Sequence, residues 1–225
     1  MTDIISNLNA INTEIRAAES QAERKESSVS LLAVSKTKPS ADISIAYQAG
    51  QRHFGENYLQ EALIKQKELS HYQIIWHFIG PIQSNKTKQI ATNFSWVHSV
   101  DRLKIAQRLS EQRPDDLPPL NICLQINISE EESKAGIILD DLADMVEQIE
   151  RLPKIKLRGV MAIPEPAQSY DQQRKPYRQL YNAIKALNKP ELDTFSFGMT
   201  GDLKAAITEG ATIVRVGSAL FGARI

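Results

Sequence analysis

Lys36 is the residue of this sequence whose setting most favours covalent chemistry. It follows an apolar run at residues 29–35 that is typical of a buried strand, and the Thr-Lys-Pro sequence at residues 37–39 interrupts that strand. At such a position a lysine loses hydration, and the nearby cation of Lys38 further disfavours its ammonium form. A neutral lysine forms Schiff bases with carbonyl compounds. A solvated lysine in an ordinary loop is the alternative, so the hypothesis depends on the rest of the chain.

Two glycine-containing turns near the end of the sequence have the composition of a phosphate site. The first, Ser-Phe-Gly-Met-Thr-Gly-Asp at residues 196–202, connects a predicted strand to a predicted helix, so its amides and the Thr200 hydroxyl meet a positive helix terminus. The second, at residues 215–219, contributes Gly217, where a backbone can approach a ligand closely, and the Ser218 hydroxyl. Ordinary turn chemistry explains either turn alone, but together they indicate an uncharged cradle for a phosphate.

Further polar side chains are candidates for the same site. Arg215 alternates with valines in a predicted strand, and inside a core it needs an anion, a ring acceptor or an internal ion pair. His77 lies in an apolar run and either lines a pocket or is a hydrogen-bonded core residue, while Asn57 stands at a strand end. Lys134, after an acidic run at residues 130–132, either belongs to a loop or is a second amine. The histidines stand on separate elements, so no metal site is predicted.

The elements that must position these residues are short apolar runs alternating with longer amphipathic ones, at about twenty to thirty residues per pair. Strands are predicted at residues 30–34, 52–55, 74–79, 95–99, 120–128, 156–162, 194–197 and 212–216. Helices are predicted at residues 40–49, 57–69, 84–92, 102–112, 138–151, 170–188 and 201–209, with one amphipathic helix before them.

This alternation permits either a doubly wound sheet or a closed (β/α)8 barrel of the α/β class. The number and even spacing of the strands favour the TIM-type barrel. We expect a single domain over residues 1–225, with an N-terminal helix at 1–26 and the barrel at 29–225. Such a barrel builds its site from the loops after its strands and binds phosphate after strands seven and eight. Lys36 and both glycine-containing turns occupy those positions.

Composition narrows the class of protein. The chain has 225 residues, of which 42% are hydrophobic, enough for a substantial core. Equal numbers of basic and acidic residues, 27 each, predict no nucleic acid or anionic membrane as its main partner. Its lone cysteine, Cys123, is expected to be a core residue in a reducing compartment. No segment has the pattern of a signal peptide or membrane span, so a cytoplasmic location is predicted.

Six blocks of the sequence resemble the pyridoxal phosphate homeostasis protein family, single-domain relatives of the barrel half of bacterial alanine racemase. They lie at residues 33–38, 54–61, 76–80, 83–86, 197–202 and 214–222, so the resemblance extends from about residue 29 to the carboxyl terminus. Departures are small: the turn at residues 80–82 reads Gly-Pro-Ile, and Thr200 and Ser218 exchange hydroxyl residues often seen as serine and threonine. Neither change removes a hydrogen-bond donor of the cradle.

The resemblance implies that Lys36 holds pyridoxal phosphate (PLP) covalently as a Schiff base and that Arg215 faces the pyridine nitrogen. It places the phosphate on the turns at Met199, Thr200, Gly217 and Ser218. A permanently charged guanidinium leaves the ring nitrogen unprotonated, which suits racemisation or simple holding of the cofactor better than transamination. The predicted cofactor-binding residues are Lys36, Asn57, His77, Met199, Thr200, Arg215, Gly217 and Ser218.

Racemisation needs a base on each face of the bound substrate. In the racemases the second base is a tyrosine from an additional β domain of the partner subunit, whereas this chain ends at Ile225, soon after its last predicted strand. We therefore expect a monomer with no catalytic residues and little or no turnover, which stores vitamin B6 as PLP and supplies it to apo-enzymes. Two alternatives remain: a PLP-dependent racemase or lyase of low activity, and a barrel aldolase whose Lys36 attacks a sugar phosphate without a cofactor.

Overall fold

The protein folds around a closed barrel of eight parallel strands, in which each strand pairs with the next along the chain and the last pairs with the first. The computed structural model describes residues 3–129 and 135–223. The strands are β1 (Ser30–Val34), β2 (His53–Glu56), β3 (Ile75–Phe78), β4 (Trp96–Val100), β5 (Leu120–Ile126), β6 (Ile155–Ala162), β7 (Thr194–Ser196) and β8 (Ile213–Val216). The predicted (β/α)8 barrel is confirmed, and every predicted strand is present.

Helices surround the barrel. They are α1 (Ile4–Gln21), α2 (Ser40–Gln48), α3 (Leu59–Glu68), α4 (Thr87–Asn93), α5 (Leu103–Gln112), α6 (Leu142–Glu150), α7 (Tyr170–Ala186), α8 (Leu203–Thr208) and α9 (Ser218–Phe221). Short 3-10 turns at Ser84–Lys86 and Leu139–Asp141 lead into α4 and α6, so two predicted helices begin as tighter turns. The short helix α9 was not predicted.

Helix α1 is the predicted N-terminal helix. The side chain of Asp3 caps it by accepting a hydrogen bond from the Ser6 amide at 3.0 Å. One face carries buried apolar side chains at helical spacing, namely Ile4, Leu8, Ile11 and Ile15. The helix packs against α8 and α9, so it braces the part of the wall that contains the last two strands.

Strand register brings the ends of β8, β1 and β2 side by side. Ala33 of β1 pairs with Val216 of β8, and Val34 pairs with Gly55 of β2. Parallel strands carry their carboxyl ends to the same rim, so the turns after these three strands meet there. This arrangement brings Lys36 close to the turn that contains Gly217.

The described residues contain one buried cysteine, no helix suited to a membrane and no cluster of metal ligands. Cys123 is a free, fully buried cysteine, and burial raises the pKa of its thiol to about 12. Among residues 3–129 and 135–223, no helix has both the length and the apolar character that a bilayer crossing requires. The same residues contain no group of three or more His, Cys, Asp and Glu side chains placed to hold a metal ion.

Candidate functional site

A cavity of about 370 Å³ opens at the carboxyl ends of the strands. It contains every predicted site residue except His77. Its lining consists of Val34, Lys36, Asn57, Ile79, Met161, Ile163, Met199, Thr200, Gly201, Arg215, Gly217 and Ser218. The side chains therefore come from loops or strand ends after β1, β2, β3, β6, β7 and β8, as a barrel site requires.

The turn at residues 35–38, here called the Lys36 turn, is held from outside the cavity. Its backbone closes on itself through Lys38 N, which donates to Ser35 O at 3.0 Å, and Thr37 adopts a positive φ of 63°. Lys65 Nζ donates to Ser35 O at 2.8 Å, and the Thr37 amide donates to Glu61 Oε1 at 2.6 Å. The residues on both sides of Lys36 are thus fixed by the side chains of α3.

A buried ion-pair network lies directly behind the Lys36 turn. Glu56 is fully buried, and its Oε1 accepts from Lys65 Nζ at 2.8 Å and from Ser35 Oγ at 2.6 Å. Lys65 also pairs with Glu61. Among the described residues Glu56 Oε2 has no hydrogen-bond partner. Burial raises the pKa of Glu56, while the charge of Lys65 opposes that rise.

This network was not predicted, although the sequence carried a signal for it. Glu61 and Lys65 stand four residues apart on a predicted helix, which is the spacing of a surface ion pair. Glu56 was visible as a charged residue at a predicted strand end beside Asn57. Nothing in the sequence showed that the helix turns this pair toward β1 instead of toward solvent.

The turn after β7 is shaped by Asp202. Its Oδ1 accepts from the Met199 amide at 2.6 Å, and its Oδ2 accepts from the Tyr177 hydroxyl at 2.6 Å. Helix α8 begins at Leu203, two residues later than predicted, with Asp202 as its N-cap residue. The Met199 amide is occupied by Asp202, so the cradle at this turn consists of Thr200 and Gly201. A Cβ built on Gly201 would face open space, with no atom within 4 Å.

The turn after β8 completes the cradle. Gly217 precedes α9, and a Cβ at this position would lie 3.2 Å from the Val34 carbonyl oxygen. A side chain there would press on the end of β1, immediately before the Lys36 turn. Ser218 supplies the hydroxyl of this turn and lines the same cavity. The glycine therefore permits the close approach of β8 and β1 on which the site depends.

Arg215 points into the barrel interior and reaches the floor of the cavity. Its Nη1 donates to the carbonyl oxygen and, at 2.9 Å, to the hydroxyl of Ser196, and its Nη2 donates to Ala162 O at 3.0 Å. The side chain is 5% exposed, and within the described parts of the chain it forms no ion pair. Burial lowers its pKa, yet a guanidinium stays charged at neutral pH. A fixed cation is thus presented beneath the cavity; the charge of Asp202 acts on it without an ion-pair contact.

Asn57 provides an unsatisfied polar position in the cavity wall. Its side-chain Oδ1 is buried and has no hydrogen-bond partner among the described residues. The neighbouring Gly80 allows this wall to form, because a Cβ on Gly80 would lie only 2.3 Å from the Asn57 carbonyl oxygen. A polar ligand in the cavity would satisfy Asn57.

The structure does not bring His77 to this cavity. Its Nε2 lies 2.9 Å from His53 Nδ1 and its Nδ1 lies 2.8 Å from His98 Nε2, deep in the barrel. Burial lowers the pKa of His77 well below its usual value. The alternation of side chains along β3 predicted which of them face the barrel interior, but not how far along the barrel axis each one lies. Ile79, two residues after His77, lines the cavity instead. Lys134, the candidate second amine, lies outside the described residues.

The chemical character of the cavity suits a phosphate-bearing aldehyde. The ionisable groups among its described lining residues are Lys36 and Arg215, both of which are basic. The same lining includes the hydroxyl-bearing residues Thr200 and Ser218, two glycines, and Asn57 with its buried polar atom. An amine for the carbonyl carbon, a cation for a ring acceptor and a donor-rich cradle for a phosphate are thus present together.

Sequence and structure comparisons agree with one another. The sequence matches the model of the alanine racemase N-terminal domain over residues 6–225. It is 57% identical over 224 residues to the pyridoxal phosphate homeostasis protein of Pseudomonas aeruginosa, covering 100% of this chain and 97% of that protein. The structure of PipY from Synechococcus elongatus without PLP has 35% identity and a TM-score of 0.87, covering 98% of this chain and 100% of PipY. PipY with PLP bound has 36% identity and a TM-score of 0.80, covering 92% of this chain and 100% of PipY. This chain belongs to the pyridoxal phosphate homeostasis protein family, and its barrel is that of the alanine racemase N-terminal domain.

Proposed function

We propose that this protein binds PLP through a Schiff base on Lys36, stores it and makes it available to other proteins. The observation that carries the proposal is the convergence of Lys36, Arg215 and the turns after β7 and β8 on one cavity. Its volume of about 370 Å³ lies within the usual range for small-molecule sites. The PLP-bound state of PipY, a relative with 36% identity, supports the choice of ligand.

Bound PLP supplies an aldehyde that reacts reversibly with amines. The Nζ of Lys36 is the amine that would hold the PLP aldehyde as a Schiff base, with release of one water molecule. Hydrolysis by water returns the free amine and the free aldehyde. No electron is gained or lost in either direction, so storage and release need no reactant other than water.

The remaining residues hold the ligand. Amides of the two glycine-containing turns and the hydroxyls of Thr200 and Ser218 are the proposed donors to the phosphate, with Gly217 allowing its close approach. Met199 lines the cavity, but its amide is occupied by Asp202. Arg215 would donate to the pyridine nitrogen and keep that nitrogen unprotonated, while Asn57 would offer a further polar contact.

Little or no catalytic turnover accompanies this binding. Racemisation requires one group that removes a proton and another that returns it on the opposite face. Lys36 and Arg215 are the ionisable groups among the described lining residues, and a guanidinium does not act as a base at neutral pH. The homeostasis role named for the 57% identical relative supports the same assignment.

Delivery completes the proposed role. We propose that the protein acts as a cytoplasmic monomer and that PLP-dependent apo-enzymes receive its cargo. Reversible attachment supports this, because hydrolysis of the Schiff base regenerates the aldehyde that an apo-enzyme lysine must capture. The equal numbers of acidic and basic residues, 27 each, agree with a partner other than nucleic acid or membrane.

Titration of the purified protein with PLP tests binding at Lys36. We expect a visible absorption band that saturates with wild-type protein and disappears in Lys36→Ala. Lys38→Ala is the matched control, because Lys38 belongs to the same turn but its Nζ donates to Ala223 O instead of lining the cavity. An unchanged band in Lys36→Ala would refute the attachment site. Efficient racemisation of alanine or serine would refute the non-catalytic role.

A further inference from the structure

A continuous chain of hydrogen bonds crosses the barrel interior and ends at Arg215. His53 Nδ1 lies 2.9 Å from His77 Nε2, and His77 Nδ1 lies 2.8 Å from His98 Nε2. His98 Nδ1 lies 2.8 Å from Ser196 Oγ, and Ser196 Oγ accepts from Arg215 Nη1 at 2.9 Å. One side chain from each of β2, β3, β4, β7 and β8 therefore takes part.

The chemistry of Arg215 determines where the protons of this chain lie. A guanidinium can only donate, so Ser196 Oγ must accept from it. Among the described residues, the other partner of Ser196 Oγ is His98 Nδ1. If His98 also donated to this oxygen, the buried serine proton would have no acceptor, which is unfavourable. Ser196 therefore donates to His98 Nδ1.

The three imidazoles donate in the same direction, one to the next. A neutral imidazole has one N–H and one acceptor nitrogen, so His98, which accepts at Nδ1, donates from Nε2 to His77 Nδ1. His77 in turn donates from Nε2 to His53 Nδ1. All three rings are then Nε2–H tautomers. The Nε2–H of His53 takes no part in these hydrogen bonds, and His53 helps to line a cavity of about 310 Å³ at the amino end of the barrel.

Their surroundings keep these rings neutral and fixed. Burial, together with the charge of Arg215, lowers the pKa of His98 to about 3. Burial also lowers the pKa of His77 well below its usual value and lowers that of His53. The ring of Trp96 stacks on His77, with centroids 5.5 Å apart and planes inclined by 10°. The chain therefore consists of neutral imidazoles at physiological pH.

We propose that Arg215 imposes one direction on every hydrogen bond of this chain, and that Ser196, His98 and His77 are positioning residues that hold its guanidinium toward the cavity. The direction of the bonds depends only on the described side chains. Its consequence for PLP rests on the proposed function, because the pyridine nitrogen is the group that Arg215 would meet. The histidines thus act on the ligand through Arg215 and not by contact.

Nitrogen-15 NMR of histidine-labelled protein without PLP tests the direction. The sequence has four histidines, and the exposed His71, which takes no part in this chain of hydrogen bonds, serves as the reference ring. We expect His53, His77 and His98 each to show a protonated Nε2 and an unprotonated Nδ1 at neutral pH. A protonated Nδ1 on His77 or His98 would overturn the proposal.

Two substitutions of Ser196 separate this role from a purely structural one. Ser196→Ala removes the proton donor, so we expect a population of His98 protonated at Nδ1, whereas Ser196→Thr keeps the hydroxyl and the wild-type tautomer. Amide spectra of both variants establish that they are folded. An unchanged His98 tautomer in folded Ser196→Ala would overturn the proposal.

Titration with PLP then measures the effect on the ligand. Loss of one charge-assisted hydrogen bond at Arg215 is expected to weaken binding by about tenfold in Ser196→Ala and to shift the pH midpoint of the visible band. Ser196→Thr should bind as wild type. Wild-type affinity and an unshifted midpoint in Ser196→Ala would refute the positioning role. If the wild-type protein itself failed to bind PLP, the proposed function would fall, while the tautomer measurement on the unloaded protein would still decide the direction.

Discussion

Replacement of Lys65 by methionine tests whether the ion-pair network behind the Lys36 turn stabilises the fold. The Lys65 side chain is 5% exposed and contacts Ser35 O, Glu56 Oε1 and Glu61 Oε1. Methionine fills a similar volume without a charge. Among the residues that the structure describes, the substitution therefore leaves the Ser35 hydroxyl as the one hydrogen-bond donor to the buried carboxylate of Glu56. It also removes the side-chain hydrogen bond to the carbonyl oxygen of Ser35, immediately before Lys36.

Breaking a buried ion pair in this way costs about 3–5 kcal/mol of unfolding free energy. The cost depends on pH. Burial already raises the pKa of Glu56 above its ordinary value of 4.5, with Lys65 opposing the rise, so removal of Lys65 raises that pKa further. A carboxyl group whose folded-state pKa is raised contributes most to stability below its unfolded-state pKa. That contribution is lost as the pH rises through the folded-state pKa. The deficit of Lys65→Met should therefore be largest near neutral pH and shrink toward pH 4.5.

Urea denaturation at several pH values measures this deficit. Lys67→Met on the same helix is the control, because Lys67 is exposed and its loss should change the unfolding free energy by less than about 0.5 kcal/mol. The double variant Glu56→Gln/Lys65→Met removes both charges and should recover much of the loss. A deficit below about 1 kcal/mol, or one that does not vary with pH, would refute the reasoning.

Three further substitutions or reactions test single features. Gly80→Ala places a Cβ 2.3 Å from the Asn57 carbonyl oxygen. We expect the affinity for PLP to fall while the melting temperature changes little. An affinity equal to that of the wild-type protein in equilibrium titration would contradict this. Gly159→Ala places a Cβ 1.9 Å from the Thr194 carbonyl oxygen at a φ of 151°, so we expect a loss of more than about 3 kcal/mol in urea denaturation or no folded protein. Cys123, whose pKa burial raises to about 12, should resist iodoacetamide at pH 8 until the protein is unfolded, as mass spectrometry would show.

The barrel and much of its site could be predicted because local patterns determine them. Apolar runs separated by amphipathic segments located the strands, and parallel strands bring their carboxyl ends to one rim. Lys36, Arg215 and Gly217 therefore reach one cavity although they are distant in sequence. The choice between a barrel and an open doubly wound sheet depended on the number of strands, and pairing of β8 with β1 decides it.

The depth of a side chain along the barrel axis and the packing of helices against the barrel could not be predicted. His77 was a candidate for the cavity, but period-two alternation cannot say how far along the barrel axis an interior side chain lies. The sequence predicted that Met199 takes part in phosphate binding, yet its amide donates to the side chain of Asp202. The burial of Lys65 follows from the packing of α3 against the Lys36 turn, which its surface-like spacing from Glu61 did not reveal.

Borohydride reduction followed by peptide mapping tests the central claim most directly. Reduction converts a carbon–nitrogen double bond between PLP and a lysine into a stable secondary amine. We predict that protein incubated with PLP, reduced, unfolded and digested carries the phosphopyridoxyl group on the peptide containing Lys36. The label should be absent from that peptide in protein that was unfolded before PLP was added. A label on another lysine, with Lys36 unmodified in the folded protein, would contradict the account.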